Sequence, residues 1–189
     1  MAQKGSTPNA LLGLLSIHPR SGYDIRQLIP RSIGHFWNES YGQIYPALKH
    51  LTADGLVNKK TERHKGRPDR NVYSLTASGR KELRHWLQLP VEPAVQRNEL
   101  LLKLFFGAHS TKGVSRKHVA TYEDQQRATL KIYTATARKL TQEQPDDPHL
   151  PFWLMTLNFG RHRCVAAIKW CTETRRELER LENAAALKT

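Results

Sequence analysis

The spacing of apolar residues predicts two short helices at the start of the chain. The first begins at Thr7 and Pro8, a cap residue followed by the proline that suits a first helical position. Its apolar residues recur every three or four positions up to Pro19. Ser21 can cap a second helix, which ends near Pro30.

A third helix is predicted to begin with a Ser-x-x-Gln capping box and to end at Gly55. In this box the side chains of Ser40 and Gln43 each bond the backbone amide of the other residue. Pro46 lies inside the predicted helix. Because proline has no N–H, the bond to the Gly42 carbonyl is lost and we expect a bend there.

After the third helix the pattern changes from helical to extended. Leu56 and Val57 begin a strand, residues 72–75 form a second one, and the twelve residues 59–70 between them carry most of the local charge. Thr76 then opens a fourth helix. Three short helices followed by a basic hairpin make the winged helix-turn-helix plan, in which the third helix enters the DNA major groove.

The two faces of the third helix differ in chemistry. At 100° per residue, one side faces the core: Tyr41, Ile44, Tyr45, Leu48 and Leu51. The opposite side holds Gly42, Gln43, Pro46, Lys49 and His50. Gln43 can bond an adenine edge with both its amide groups, whereas Lys49 can reach a guanine or a phosphate. Gly42 permits close approach of the backbone.

The second half is predicted to be helical throughout. Residues 99–106 are almost continuously apolar, as expected of a helix buried on most sides. An amphipathic stretch covers residues 119–140, and a turn follows at residues 144–148. Pro151 opens a last helix that reaches about Leu181, so the two long helices should fold back on each other.

The segment at residues 90–94, with two prolines and no periodicity, is typical of a joint between domains. We therefore expect a DNA-binding domain over residues 1–90 and a helical dimerisation and effector domain over residues 91–189. The predicted fold class is mainly α, with an N-terminal winged helix-turn-helix that has a two-stranded wing and an all-α C-terminal domain.

Composition supports a globular chain with a polyanionic partner. Apolar residues make up 39% and charged residues 25%, while 30 Lys and Arg against 17 Asp and Glu give a net charge of +13. Nucleic acid is the first candidate partner and an anionic membrane the second. No apolar run approaches the roughly 18 residues of a membrane span, and no signal peptide is apparent. We expect a cytoplasmic protein without a membrane partner.

The positive charge is concentrated in the first half, which carries +8 against +5 in the second. Residues 59–70 alone carry +4, with Lys65 and Arg67 beside the turn residue Gly66. An isolated basic run is usually a solvated hairpin. After a capped helix of suitable length, DNA phosphates are the better interpretation. The candidate DNA-binding residues are Ser40, Tyr41, Gly42, Gln43, Tyr45, Pro46, Lys49, His50, Lys65, Arg67 and Arg70.

These residues also carry a family resemblance. The motifs are FWNESYGQIYPALKHL at residues 36–51, GLV at 55–57, GRP at 66–68, VYSLTASG at 72–79 and RNELLLKLFF at 97–106. They look like the PadR family of bacterial transcriptional regulators. The chain length is similar to that of the branch with a long helical C-terminal domain, the virulence-activator-like type. Beyond residue 106 the match is one of pattern only.

The resemblance implies a homodimer on a two-fold symmetric operator, usually a repressor released by a small effector. It also accounts for Pro46, which the family motif contains. A transcriptional activator and an effector-independent DNA-binding protein remain alternatives.

The last helix carries a stripe of mostly small residues at alternating spacings of three and four: Leu157, Gly160, Cys164, Ala167, Cys171, Thr174, Leu178 and Leu181. We call it the small-residue stripe. It lets another helix approach closely. That helix is either the other long helix of the same chain or a second chain, and we expect contacts of both kinds. The two cysteines lie two helical turns apart, so we expect reduced thiols in the core.

Aromatic residues near the domain joint and in the last helix offer a candidate pocket for a flat aromatic effector: Trp37, Trp86, Phe152, Trp153 and Phe159. Ordinary core packing is the alternative.

Two other functional classes are disfavoured by the sequence. For an enzyme, the nine histidines lack metal-ligand spacing with carboxylates, and neither a nucleophile motif nor a phosphate loop occurs. His162, Arg163 and Cys164 come nearest to a metal cluster, but their spacing on a helix is unsuitable. For a membrane-surface adaptor, the densest charge would have to lie on an amphipathic helix, whereas here it lies in a hairpin. We therefore expect no catalysis, cofactor or metal; the expected partners are double-stranded DNA, a second copy and a small effector.

Overall fold

The structure, a computed structural model, describes residues 7–34, 36–37, 41–62, 70–91 and 97–186. The chain divides into two compact units, Met1–Pro93 and Ala94–Thr189. No helix in the described ranges is long and apolar enough to cross a membrane.

The described part of the first unit holds four α-helices and three strands. In chain order they are α1 Thr7–Ile17, β1 Arg20–Ser21, α2 Gly22–Leu28, α3 Ile44–Ala53, β2 Val57–Glu62, β3 Arg70–Leu75 and α4 Ala77–Gln88. Short 3-10 turns occur at Ile29–Arg31 and Tyr41–Gln43. The fold class predicted from the sequence, a winged helix-turn-helix followed by a helical half, is confirmed.

The sheet is antiparallel with the strand order β1-β3-β2. β2 and β3 form the predicted wing, paired from Val57 opposite Leu75 to Glu62 opposite Arg70. β1 adds a third strand that pairs with the other edge of β3. The sequence did not reveal β1, because two residues are too short to show a period.

The core of the first unit is built from one face of each of the first three helices and from the inner face of the wing. Its fully buried side chains are Leu11, Leu12, Ile25, Ile44, Leu48 and Val57. α3 is therefore fixed by its apolar side, which leaves its other side open.

Side-chain caps hold the ends of two helices, as the sequence predicts. Ser21 caps α2, and Thr76 caps α4 by accepting a bond from the Gly79 amide at 3.0 Å. Gly55, with φ +67°, follows the end of α3 in the left-handed conformation that favours glycine.

The start of α3 differs from the prediction. The α-helix begins at Ile44 after the 3-10 turn, with Gln43 as its N-cap and no side-chain capping bond. Ser40 lies outside the described residues. Pro46 falls in the first turn, where N–H groups have no partner four residues earlier in the helix. The reason given for a bend at Pro46 was wrong. The α-helix starts after Gly42, so Pro46 does not remove a helical hydrogen bond to the Gly42 carbonyl.

The second unit contains α5 Glu99–Phe105, a 3-10 turn Gly107–His109, α6 Val114–Glu143 and α7 Leu150–Ala186. α6 and α7 fold back on each other as predicted. Near the start of α6 the Gly113 amide donates to Glu182, close to the end of α7, at 3.0 Å. The hairpin core contains Tyr133, Leu157 and Cys164.

α5 is not buried, contrary to the prediction. None of its residues is buried, and half or more of the surface of each of Leu101, Leu102, Phe105 and Phe106 is exposed. The apolar residues of this segment do form a helix, as predicted. Within the described part of the second unit, however, no element covers this face.

Candidate nucleic-acid interface

The open side of α3 and of the turn before it carries the polar residues expected from helical periodicity. Gly42, Gln43, Pro46, Lys49 and His50 are exposed. The buried positions of the helix are Ile44, Ala47, Leu48 and Leu51. This arrangement presents hydrogen-bonding side chains on a helix whose other side is anchored in the core.

Tyr45 was assigned to the core side, and this was wrong. Its surface is 52% exposed, and Ala47 occupies the buried position instead. The ring packs against the start of α2, since a Cβ atom at Gly22 would lie 2.6 Å from Tyr45 Cε1. Tyr45 thus belongs to the accessible surface at the junction of α2 and α3. The side chain of Tyr41 lies outside what the structure describes.

The wing contributes basic side chains on its outer strand. Lys59 and Lys60 on β2 are exposed, and the Thr61 hydroxyl donates across the wing to Asn71 Oδ1 at 2.9 Å. Lys65 and Arg67 lie in residues 63–69, outside the described part of the chain.

Arg70 was assigned to DNA phosphates, but its guanidinium bonds the carboxylate of Asp24 in α2. Asp24 Oδ2 also accepts the Ser21 amide at 3.1 Å, and the Ser21 hydroxyl accepts the Asp24 amide at 3.1 Å. Desolvation acts to raise the pKa of Asp24. Hydrogen bonds from Ser21 and Arg70 outweigh it, so that the pKa is lowered. The charge of Arg70 is therefore already paired, and the wing offers less free positive charge than its sequence suggests.

The small-residue stripe packs within one chain. Leu157, Gly160, Cys164 and Cys171 are buried against α6, and Ala167 and Leu178 are partly buried. These six residues were proposed for dimerisation. α6 of the same chain covers the stripe, so the expected contacts within one chain are present, and the expected contact with a second chain stays a prediction. Both thiols are free, and burial raises their pKa.

The aromatic residues proposed for effector binding are divided between the two units. Trp37 and Trp86 belong to the first unit and the other three to the second. Phe152 and Phe159 are each more than 60% exposed, with the Arg163 guanidinium 5.9 Å from the centre of the Phe159 ring. Trp153 stacks on His149 with ring centroids 5.8 Å apart. Within the second unit, Phe152 and Phe159 form surface rather than the wall of an enclosed cavity.

Sequence reasoning missed a buried carboxylate between the long helices. Glu123 in α6 is 5% exposed and accepts bonds from Arg127 Nε at 3.1 Å and from Arg175 Nη1 of α7 at 2.9 Å. The hydrogen bonds from Arg127 and then Arg175 hold the pKa of this carboxyl below its usual range. The available signal was an acidic residue four positions after Val119, in step with the buried side of α6.

Comparison with known proteins matches both halves of the chain. The family described as transcriptional regulator PadR-like matches residues 11–85, and the one described as virulence activator alpha C-term matches residues 96–179. The negative transcriptional regulator PadR of Bacillus subtilis is 33% identical over 150 residues, which cover 74% of this chain and 81% of that protein.

Solved structures resemble the chain over nearly its whole length. Bacillus subtilis PadR in complex with operator DNA gives a TM-score of 0.77 at 26% identity and covers 90% of this chain and 98% of its own. The same protein in complex with p-coumaric acid gives 0.73 at 26% identity, with 91% and 98% covered. The Vibrio cholerae virulence activator AphA gives 0.72 at 26% identity, with 93% and 99% covered.

Proposed function

Because the chain belongs to the PadR-like family of DNA-binding transcriptional regulators, we propose that it binds a two-fold symmetric operator as a homodimer and represses transcription until a small effector releases it. One observation carries the proposal. The exposed side of α3 is polar, and it belongs to a fold that resembles PadR solved with operator DNA. The site of action is the cytoplasm, where bacterial DNA lies.

In this proposal α3 reads bases and the wing holds phosphates. Gln43 lies at the N-terminal end of α3, the end that contacts base edges in helix-turn-helix proteins. Lys49 and His50 lie further along the same open side. Lys59, Lys60, Lys65 and Arg67 supply positive charge for the DNA backbone.

Selection of bound duplexes from a random DNA pool tests DNA reading and symmetry together. We expect a palindrome whose half-sites lie about one helical turn, or a multiple of it, apart. Recovery of no sequence, or of an asymmetric one, contradicts the proposal.

Point variants then separate the two roles on the selected duplex. Gln43→Ala should relax base preference at one position, at a cost of about 1–3 kcal/mol for the original base pair. Arg67→Ala should weaken all sequences alike and reduce the salt slope by about one. Lys131→Ala, an exposed lysine of α6, is the matched control and should leave binding unchanged. Equal loss on every sequence from Gln43→Ala would show that α3 is not the reader.

The exposed apolar residues of α5 support the homodimer. Leu101, Leu102, Phe105 and Phe106 form an uncovered surface of the kind that marks a protein interface. A second copy of the chain is the proposed cover.

A small aromatic acid is the proposed effector class, supported by the resemblance to PadR in complex with p-coumaric acid. Titration with p-coumaric acid should quench tryptophan emission and weaken operator binding. If neither changes with this acid or with related phenolic acids, the effector-independent alternative is favoured.

Activation is the second candidate outcome, because the chain resembles the virulence activator AphA to a similar degree. In-vitro transcription from a promoter that carries the selected operator distinguishes the two. The repressor proposal requires less transcript when the protein is added, and more transcript would favour activation.

A further inference from the structure

The wing is tied to α2 by one ion pair. Arg70 is the first residue of β3, and its guanidinium bonds the Asp24 carboxylate, 46 positions earlier in the chain. β1 pairs with the following residues of β3, with Ser21 opposite Val72 and Arg20 opposite Tyr73. The ion pair therefore acts at the first residue of β3, directly after residues 63–69 of the basic run.

The Asp24 carboxylate is already oriented before it meets Arg70. The backbone amide of Ser21 donates to its Oδ2 at 3.1 Å, and this is the capping-box bond that holds the carboxylate. Less side-chain freedom is lost when Arg70 joins a carboxylate held in this way than in an ordinary surface pair. The pairing also cancels a negative charge that would otherwise repel a nearby phosphate.

We infer that Asp24 is a positioning residue for DNA binding, which holds the base of the wing in the orientation that brings its basic residues to the phosphates while α3 reads the groove. On this inference Arg70 acts through Asp24 and does not itself contact DNA. The inference rests on the proposed function of the wing.

The test compares Asp24→Asn and Arg70→Gln on the duplex selected from the random pool, at several salt concentrations. Asn keeps the size of the side chain and an oxygen for the Ser21 amide, but it removes the charge. We expect each single variant to weaken binding by about threefold to fivefold, as for the loss of one partly exposed ion pair. The double variant should be no weaker than either single one, and the salt slope should stay unchanged.

Direct phosphate contact by Arg70 predicts the opposite pattern. Arg70→Gln would then reduce the salt slope by about one, and Asp24→Asn would tighten binding by freeing Arg70. Either result overturns the inference.

Ser21→Ala distinguishes positioning of the wing from simple stabilisation of α2. It removes one bond of the capping box and keeps the ion pair, so we expect a lower Tm with little loss of affinity at temperatures where the protein is folded. Affinity losses in Ser21→Ala as large as those in Asp24→Asn would overturn the inference in favour of a structural role for α2.

Arg67→Ala tests the premise that the wing contacts DNA. If this variant leaves affinity unchanged, the phosphate-binding role of the wing fails and the positioning role of Asp24 fails with it, whereas base reading by α3 is still tested by Gln43→Ala. If it weakens binding while Asp24→Asn does not, only the positioning role fails.

Discussion

Gly160 lies where α7 meets the ring of Tyr133, and a Cβ atom there would come within 2.6 Å of Cζ. Because Tyr133 is itself buried, its ring has little room to move. Overpacking of this kind lowers the free energy of unfolding by about 1–3 kcal/mol. Replacing a helical glycine with alanine raises it by up to about 1 kcal/mol. We expect Gly160→Ala to lower the free energy of unfolding by about 1 kcal/mol.

Gly13 in α1 is the matched control for this substitution. Among the described residues, no atom beyond its chain neighbours and its own helix backbone lies within 4 Å of its Cβ position, so Gly13→Ala should be neutral or stabilise by up to about 1 kcal/mol. Urea unfolding followed by circular dichroism measures both variants. If Gly160→Ala were as stable as Gly13→Ala, the close approach of α7 to Tyr133 would be contradicted.

Single residues were predictable where local chemistry decides their role. Ser21 and Thr76 are caps because their hydroxyls meet amides three residues later. Tyr45 was not predictable, because its side of α3 depends on where the helix begins. That start follows a 3-10 turn, which shifts the buried set to include Ala47. Glu123 was missed because only α7 supplies its second arginine.

Among the elements, the α6–α7 hairpin depends on Glu123 and its two arginines. Arg175→Ala removes the only arginine that Glu123 binds on the opposite helix in the described structure. A buried carboxylate that loses a partner costs about 1–3 kcal/mol, so we expect the free energy of unfolding to fall by that amount. Arg176→Ala, a neighbouring exposed arginine, should change it by less than about 0.5 kcal/mol. Equal effects of the two variants in urea unfolding would contradict the role of the buried bridge.

The same carboxylate predicts a dependence of stability on pH. Its pKa in the folded protein is lowered, so its contribution is fully present above the pKa of an unfolded glutamate, about 4.3, and is lost as the pH falls through the folded value. Wild type should therefore lose more stability than Glu123→Gln as the pH falls below about 4.3. Parallel curves for the two proteins in acid unfolding would contradict this prediction.

Some of the helices and strands were also predictable from the sequence and others were not. The long hairpin was predictable, because the apolar repeats in α6 and α7 extend over many residues. The wing was predictable because the helical period ends at Gly55 and a basic run separates Leu56 and Val57 from the apolar residues of β3. β1 has two residues and is recognised as a strand only because it pairs with β3. α5 was predicted correctly as a helix and wrongly as buried, because a sequence pattern records an apolar face without recording what covers it.

For the molecule as a whole, the uncovered face of α5 predicts association. Phe105 is 81% exposed, and a charge placed there would have to be buried in any interface that covers it. We expect Phe105→Glu to sediment as a monomer at concentrations where wild type is a dimer, and to retain its helical circular dichroism. Lys112→Glu, an exposed site nearby in the chain, is the control. A dimer unchanged by Phe105→Glu would exclude this face as the interface.

Loss of the dimer should also reduce operator affinity far more than loss of any single base contact. Two half-sites bound by one dimer gain from their high effective concentration, and a monomer loses that gain. The net charge of +13 belongs to each chain and would double in the dimer. This sum already counts acidic partners such as Asp24 against the basic residues that they pair with.

The reactivity of the two buried thiols can be used to measure opening of the α6–α7 hairpin. Cys164 and Cys171 are the only cysteines of the chain, so a thiol reagent added to the unmodified protein reacts only when these positions become accessible. The rate of reaction then measures how often the long helices separate. We expect slow reaction in wild type and faster reaction in Arg175→Ala, and single Cys→Ala variants assign the rate to one position. Reaction as fast as that of a small free thiol would mean that the hairpin does not cover them.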